Sequence, residues 1–135
     1  MPYFGKNSTK RLNECHPDLQ LLFREVIKHH NCAVLTGRRE KEEQNRAVYE
    51  GRSKLKYPLS KHNRKPFSLA IDVVPWFEDF PHIHWNDREA FYFFGGFVLG
   101  TASKIGIKIR WGGDWDRDKD LHDQSFFDLP HFELI

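Results

Sequence analysis

The amino-acid sequence predicts an α+β fold built from about three helices and four short strands. Two observations carry this prediction: helical and strand-like apolar patterns are mixed along the chain, and the intervals between them are irregular, whereas a doubly wound sheet needs regular alternation. The chain has 135 residues, so we expect residues 1–135 to form one domain. With 39% hydrophobic and 30% charged residues, the composition excludes a disordered protein.

The N-terminal third begins with a polar segment. Residues 1–15 predict an extended arm or loop. The segment Pro17–His30 predicts a helix, because apolar side chains recur at i, i+3, i+4, i+7 and i+8 and Pro17 suits the first helical position. The short apolar run Cys32–Thr36 then predicts a buried strand.

The middle of the chain predicts a helix, a long loop and a second strand. The segment Glu40–Glu50 predicts a helix that ends at Gly51. Residues 52–68 are polar, and a loop of this length in a compact domain is usually functional. The run Leu69–Val74 predicts a strand, which Pro75 stops.

The C-terminal half predicts one more helix and two strands. Residues 75–86 form a loop, and Asn86 with Glu89 makes a capping-box pattern that opens a helix to about Lys104. Alternation from Ile107 to Trp111 predicts a strand. A polar loop over 114–127 leads to the terminal strand His131–Ile135, whose alternation places His131 and Glu133 on one face.

Charge and hydropathy exclude several classes of protein. The net charge is only +2, from 21 Lys and Arg against 19 Asp and Glu, which predicts no nucleic-acid partner. No apolar run approaches the ~18 residues of a membrane span, so we expect no membrane insertion. The first residues lack the apolar core of a signal peptide, which predicts synthesis in the cytoplasm. Two cysteines make no disulfide framework or zinc-type pair, and predict small buried thiols.

Three potential metal ligands occur where predicted strands meet loops: His62, Asp72 and His131. Asp72 is the most informative, because an aspartate inside an apolar strand is costly to bury unless it is paired or bound to a cation. The alternative is an aspartate that points outward from a one-sided sheet. Two histidines and one carboxylate would leave the fourth position of a tetrahedral zinc ion open to water.

A metal site of this kind also needs a base. Asp128 precedes His131 by three residues, and the intervening proline turn can place its carboxylate beside the water without making it a ligand. The alternative is an ordinary turn residue near a proline.

The order of these motifs resembles a known family. The motifs Ser60-Lys-His62, Ala70-Ile-Asp72 and Asp128-Leu-Pro-His131-Phe-Glu133 look like those of the zinc peptidases that cut peptidoglycan stem peptides. This family includes D-alanyl-D-alanine carboxypeptidases and phage L-alanyl-D-glutamate endopeptidases. The segments around Arg39 and Gln44, and the Gly-Gly-Asp-Trp stretch ending at Trp115, extend the resemblance over residues 33–135.

The resemblance implies a fold and a set of roles. The fold is a small antiparallel sheet flanked by about three helices, of the hedgehog and D,D-peptidase type, with the zinc site on the face of the sheet. Zinc would be held by His62, Asp72 and His131. Asp128 would be the catalytic acid and base, and Arg39 would steady the substrate carbonyl. Substrate contacts are implied for Gln44, Ser60 and Trp115. Arg38, Arg64 and Arg110 are equal candidates to meet substrate carboxylates.

The function that this resemblance implies is cleavage of the L-Ala–D-Glu bond by a monomeric phage endolysin. Without a signal peptide, the enzyme would reach the cell wall only after a separate permeabilisation of the host membrane. One alternative is a D-Ala–D-Ala carboxypeptidase with the same site. Others are a zinc-binding domain of this fold without peptidase activity, which Asp128 and Arg39 argue against, and a metal nuclease, which the Asp-x-x-His-Phe-Glu ending does not fit.

The acidic loop 114–123 is a second candidate ion site. Its five aspartates can offer oxygen ligands to a hard cation such as calcium. The loop lacks EF-hand spacing, which favours a solvated loop instead.

Overall fold

The protein is described by a computed structural model that covers residues 2–135. Within that range there are four helices, four strands and one 3-10 helix. All strand pairs are antiparallel, in the order β1-β2-β4-β3, which confirms the α+β class. The elements are α1 (Lys6–Asn13), α2 (Pro17–Ile27), β1 (Cys32–Thr36), α3 (Lys41–Tyr49), the 3-10 helix (Lys61–Asn63), β2 (Ala70–Pro75), α4 (Arg88–Ile105), β3 (Ile109–Trp111) and β4 (His131–Leu134).

The extended arm or loop predicted for residues 1–15 is wrong, because residues 6–13 form helix α1. The arm was predicted because the segment is polar, and Leu12 is the only buried residue of α1. The helix is held mainly by polar contacts to β1, an edge strand of the sheet. The amide of Val34 donates to Ser8 Oγ at 3.0 Å, and Arg11 Nη1 donates to the Val34 carbonyl at 3.1 Å. Helix α1 therefore covers an edge that would otherwise expose unpaired backbone groups.

Helix α4 begins one residue later than its capping pattern suggested. Asp87, not Asn86, is the N-cap, and its side chain accepts a hydrogen bond from the Ala90 amide at 3.0 Å. Gly106 ends the helix in the left-handed region, with φ of 79°. Among the described helices, none has the length and apolar composition needed to cross a membrane.

The core lies between the sheet and the helices α2 and α4. The apolar stripe predicted for α2 is buried, and its Phe23 meets Phe132 of β4 edge to face at 5.5 Å. Trp111 of β3 stacks on Phe132 with ring centroids 6.5 Å apart, and Phe94 of α4 completes the cluster. Rings therefore supply much of the core, as the high aromatic content of the sequence requires.

The register of the sheet places the candidate site on its opposite face. Ile71 and Val73 of β2 belong to the core cluster, so the side chain of Asp72 between them points to the other face. Asp72 is the direct cross-strand partner of His131 in β4. Two candidate ligands that are far apart in the sequence are thus brought together by strand pairing alone.

Substitutions at two neighbouring glycines of α4 test how tightly this core is packed. A Cβ at Gly95 would lie 2.2 Å from the Trp111 ring, whereas a Cβ at Gly96 meets nothing within 4 Å. We expect Gly95→Ala to lower the free energy of unfolding by about 1–3 kcal/mol through overpacking. Gly96→Ala is the matched control and should raise it by up to about 1 kcal/mol through helix propensity. Urea denaturation measures both; equal stabilities would contradict this packing.

Candidate metal centre

Three side chains from separate segments converge on the face of the sheet. His62 lies in the 3-10 helix, Asp72 in β2 and His131 at the start of β4, and all three are buried. Their ligand atoms lie within 4.8 Å of one another, so the group can bind a metal ion. The Ser60 side chain caps the 3-10 helix by accepting from the His62 amide at 3.2 Å, which fixes the segment that carries His62.

The spacing of the three donor atoms suits a tetrahedral ion. His62 Nε2, His131 Nδ1 and Asp72 Oδ1 form a triangle whose three edges are all 3.3 Å. Ligands about 2.0–2.1 Å from a tetrahedral zinc ion lie about 3.3–3.4 Å from one another. Asp72 Oδ1 is also a buried oxygen that makes no hydrogen bond among the described residues. A carboxylate oxygen in that position needs a cation.

Hydrogen bonds behind the two imidazoles orient His62 Nε2 and His131 Nδ1 towards Asp72. His62 Nδ1 lies 2.7 Å from the Gly37 carbonyl, which only accepts, so this nitrogen carries the proton and Nε2 faces the site. His131 Nε2 lies 2.8 Å from Glu133 Oε1, which leaves Nδ1 facing the site. Partners of this kind orient metal-binding histidines and set their tautomers.

Without a metal, a proton takes the place of the cation. Burial opposes charge on Asp72, but the His62 and His131 rings outweigh it and hold the pKa of Asp72 well below its usual range. Burial alone would lower the pKa of His131, but the carboxylate of Asp72 at 3.3 Å and the hydrogen bond with Glu133 raise that pKa to about 9. The metal-free group therefore holds a proton on His131 at neutral pH.

Asp128 lies beside the triangle. Its Oδ2 is 3.9 Å from His131 Nδ1, too long for a hydrogen bond. Its amide donates to the Gly112 carbonyl at 2.9 Å, and a Cβ at Gly112 would lie 2.0 Å from the Asp128 carbonyl oxygen. Only glycine allows this close approach. Burial, and then the charge of Asp72, raise the pKa of Asp128 to about 6.

Arg39 and Gln44 form a buried pair next to Asp72. Arg39 Nη2 donates to Asp72 Oδ2 at 3.1 Å, so the guanidinium meets the oxygen that lies outside the triangle. Arg39 Nη1 donates to Gln44 Oε1 at 3.3 Å, and the Gln44 amide nitrogen donates to the Leu55 carbonyl. Gln44 is fully buried, and its hydrogen-bonding groups are engaged within the protein. This location does not fit the predicted substrate contact; Gln44 instead holds Arg39.

The other two predicted substrate residues lie at the site. Ser60 is buried, and its hydroxyl caps the 3-10 helix. The Trp115 ring packs against the His131 ring at a centroid distance of 5.4 Å, and its indole N–H donates to the Phe126 carbonyl at 2.8 Å. Trp115 therefore forms a wall of the site that is fixed by the loop it faces.

Two cavities flank Asp128. They share lining from Arg39, Arg52, Phe126 and Asp128. One cavity, of about 480 Å³, is lined by the rings of Trp85, Phe91, Phe126 and Phe127, and we call it the aromatic cavity. The other, of about 310 Å³, we call the cationic cavity. It is lined by His62 and His131 and by six basic residues: Arg39, Arg52, Lys54, Lys61, Arg64 and Arg110.

The sequence alone does not indicate the roles of several residues around the metal group. Glu133 was in the recognised motif, and its shared face with His131 was the signal that could have identified it as the partner of that ring. The Gly37 carbonyl gives no sequence signal, because any residue has one. Lys54 and Phe126 lie in long loops, where no periodicity indicates which side chains meet.

The acidic loop brings its carboxylates into two groups of three. Each group has oxygen atoms within 4.8 Å of one another: Asp114, Asp116 and Asp118, and Asp118, Asp120 and Asp123. These carboxylates also accept hydrogen bonds from the backbone of the loop, as Asp114 Oδ2 does from the Lys119 amide at 2.9 Å. The loop conformation is thus held in part by its own side chains.

Comparison with known proteins gives one consistent result. The model of the family described as phage L-alanyl-D-glutamate peptidase matches residues 1–135. The L-alanyl-D-glutamate peptidase of Escherichia phage T5 is 33% identical over 138 residues, spanning 98% of this chain and 97% of that protein. The crystal structure of the Serratia marcescens L-Ala D-Glu endopeptidase ChiX matches with a TM-score of 0.74 and 26% identity, over 98% of this chain and 90% of that one. This chain belongs to the phage L-alanyl-D-glutamate peptidase family.

Proposed function

We propose that this chain is a zinc-dependent peptidase that hydrolyses the L-Ala–D-Glu bond of peptidoglycan stem peptides, with residues 1–135 as its catalytic domain. The observation that carries the proposal is the 3.3 Å triangle of His62, Asp72 and His131 donor atoms with Asp128 beside it. Membership of the family supports the choice of bond. Asp128 and Arg39 at the site argue against a domain that only binds zinc.

The metal would be held by His62, Asp72 and His131. The chemistry that zinc supplies at such a site is Lewis-acid polarisation of a carbonyl and a lowered pKa for water. Glu133 and the Gly37 carbonyl keep both imidazoles in the tautomer that faces the ion.

Asp128 moves the proton in this mechanism. Its carboxylate takes a proton from the attacking water and passes it to the amine that leaves with the glutamate. A pKa of about 6 suits both steps, because the group is ionised at neutral pH and still basic enough to hold a proton briefly. Arg39, which lines both cavities, faces the substrate carbonyl and stabilises the charge that develops on its oxygen. Gln44 positions Arg39.

The cavities on both sides of Asp128 favour an endopeptidase. A carboxypeptidase needs space for only one terminal residue beyond the scissile bond, whereas a cut inside a chain needs room for substrate on both sides. Mass analysis of muropeptides from digested peptidoglycan, with and without a zinc chelator, tests this. New L-alanine carboxyl ends and D-glutamate amino ends that vanish with chelator support the proposal; release of free D-alanine alone would favour the carboxypeptidase.

In a phage infection, this activity would serve host lysis. The enzyme would be made in the host cytoplasm and act on the cell wall after a separate event permeabilises the membrane. Expression in a bacterial host with and without a co-expressed membrane-permeabilising protein tests this route: lysis is expected only when both are present.

Replacing the proposed base separates catalysis from metal binding. We expect Asp128→Asn to lower turnover about 10²- to 10⁴-fold, because an amide cannot accept the proton. Zinc content should stay at the wild-type level, since Asp128 lies outside the triangle of donor atoms. Muropeptide mass analysis and metal analysis measure the two quantities. Asp79→Asn, at a side chain that is 75% exposed, is the control; full activity in Asp128→Asn would rule out this base.

Zinc binding should release a proton. The metal-free protein holds a proton on His131 up to about pH 9, and zinc must displace it. At pH 7.5, calorimetry in buffers of different ionisation enthalpy should therefore show close to one proton released per zinc. Between pH 9 and 7, affinity should fall about tenfold per unit. His122→Gln, at a 98% exposed side chain, should behave as wild type. A binding enthalpy that is the same in every buffer would contradict the protonated state.

A further inference from the structure

The two cavities beside Asp128 differ in chemistry. The aromatic cavity has four aromatic rings, two leucines and a proline in its lining, with three arginines against two aspartates, and Trp85 stands at it with 57% of its surface exposed. Trp85 is held by stacking on Phe91, with ring centroids 5.9 Å apart and planes 23° apart. The cationic cavity is lined by six Lys and Arg residues against two carboxylates, Asp128 and Glu133. A substrate with one anionic and one uncharged end would be oriented by this difference.

Most of the cations in the cationic cavity already have a carboxylate partner. Arg39 pairs with Asp72 and Arg52 pairs with Glu50. Lys61 and Arg110 both pair with Glu133, at 3.3 and 2.8 Å. The two cations of this cavity without such a partner among residues 2–135 are Lys54 and Arg64.

Lys54 and Arg64 are the cations of the cationic cavity that remain for a ligand; Arg88, in the aromatic cavity, donates to the Tyr92 hydroxyl at 2.9 Å and packs on the Phe127 ring. Among residues 2–135, no carboxylate oxygen lies within the 4.0 Å ion-pair distance of either side chain. Lys54 Nζ instead lies 4.5 Å from the centroid of the Phe126 ring, which lines both cavities. Arg64 follows the 3-10 helix that carries His62. Both side chains are exposed, so they can reach a bound anion without losing a partner.

The L-alanyl-D-glutamate bond, after which the family is named, also has one charged side and one uncharged side. In an L-alanyl-D-glutamate peptide, the glutamate has two carboxyl groups and needs only one to continue the chain. The other stays free, one residue beyond the scissile bond on the leaving side. The alanine side presents a methyl group and an acyl substituent, and carries no such charge.

We propose that Lys54 and Arg64 bind the free carboxylate of the glutamate, which places the leaving side of the substrate in the cationic cavity and the alanine side in the aromatic cavity against Trp85. This proposal rests on the proposed function and adds the direction in which the substrate lies. It also separates Lys54 and Arg64, which select the substrate, from Asp128, which acts on the bond.

The test compares two synthetic L-alanyl-D-glutamate peptides that differ only in whether the free glutamate carboxyl is an acid or a primary amide. Wild type should prefer the acid. The double variant Lys54→Gln with Arg64→Gln should lower kcat/KM for the acid by about 10- to 100-fold, mainly through KM, and change kcat/KM for the amide less than about twofold. Lys56→Gln, at an exposed lysine of the same loop outside the cavity, is the control with wild-type preference expected.

A second comparison tests the alanine side. Trp85→Ala should lower kcat/KM for a peptide whose alanine bears a muramyl group more than for one that bears an acetyl group, and should leave the preference for the acid intact. Phe80→Ala, at a ring that is 87% exposed in the same loop but outside the cavity, is the matched control. Urea denaturation and zinc analysis of every variant ensure that fold and metal binding are retained.

The outcomes are distinct. If the double variant lowers kcat/KM equally for acid and amide, or for neither, the carboxylate site is wrong. If Trp85→Ala removes the preference for the acid, the substrate lies in the opposite direction. If wild type cuts neither peptide at the Ala–Glu bond, the proposed function itself fails, and the direction fails with it.

Discussion

The charge of Asp72 is the constraint that organises the site. The residue lies in β2 between two core side chains and is only 8% exposed, where an unpaired carboxylate would be strongly destabilising. Each of its oxygens meets a different kind of partner: Oδ2 accepts from Arg39, while Oδ1 faces the two imidazoles. Segments before β2, within it and after it must all converge to balance this one charge. The charge of Asp72 is fully compensated only when a proton or a metal ion binds beside the imidazoles. This requirement links the fold to its proposed cofactor.

The partners of the imidazoles extend this network to both edges of the sheet. Glu133 orients His131 and is itself held by Arg110 of the edge strand β3, and these hydrogen bonds, against the opposing effect of burial, lower the pKa of Glu133 to about 2. On the other side, Gly37 accepts from His62 just beyond β1. A Cβ at Gly37 would lie 2.3 Å from the Arg11 carbonyl, so α1 packs directly behind this contact. The N-terminal helix therefore supports the orientation of His62, which lies far away in the sequence.

The sequence predicted the parts of this arrangement that follow from periodicity. The stripe of α2 and the alternation of His131 and Glu133 in β4 match the structure, and so does β1, which its short apolar run predicts. It did not predict α1, whose contacts are polar hydrogen bonds to an edge strand and leave no apolar stripe. Nor could it distinguish Gln44 as a support for Arg39 from Gln44 as a substrate contact. That difference depends on which loop closes over the side chain, here at Leu55, and loop paths carry no periodic signal.

The proposed metal group and the proposed substrate contacts lie in different parts of the chain. Asp72 and His131 are cross-strand partners, and a slip of one residue in β4 would send His131 into the core and Phe132 to the site. The metal group is thus tied to the same register that buries the core. Lys54 and Trp85, in contrast, lie in loops with exposed side chains, and their replacement costs little stability. It follows that the proposed substrate contacts can be replaced without disturbing the register that holds the proposed metal group.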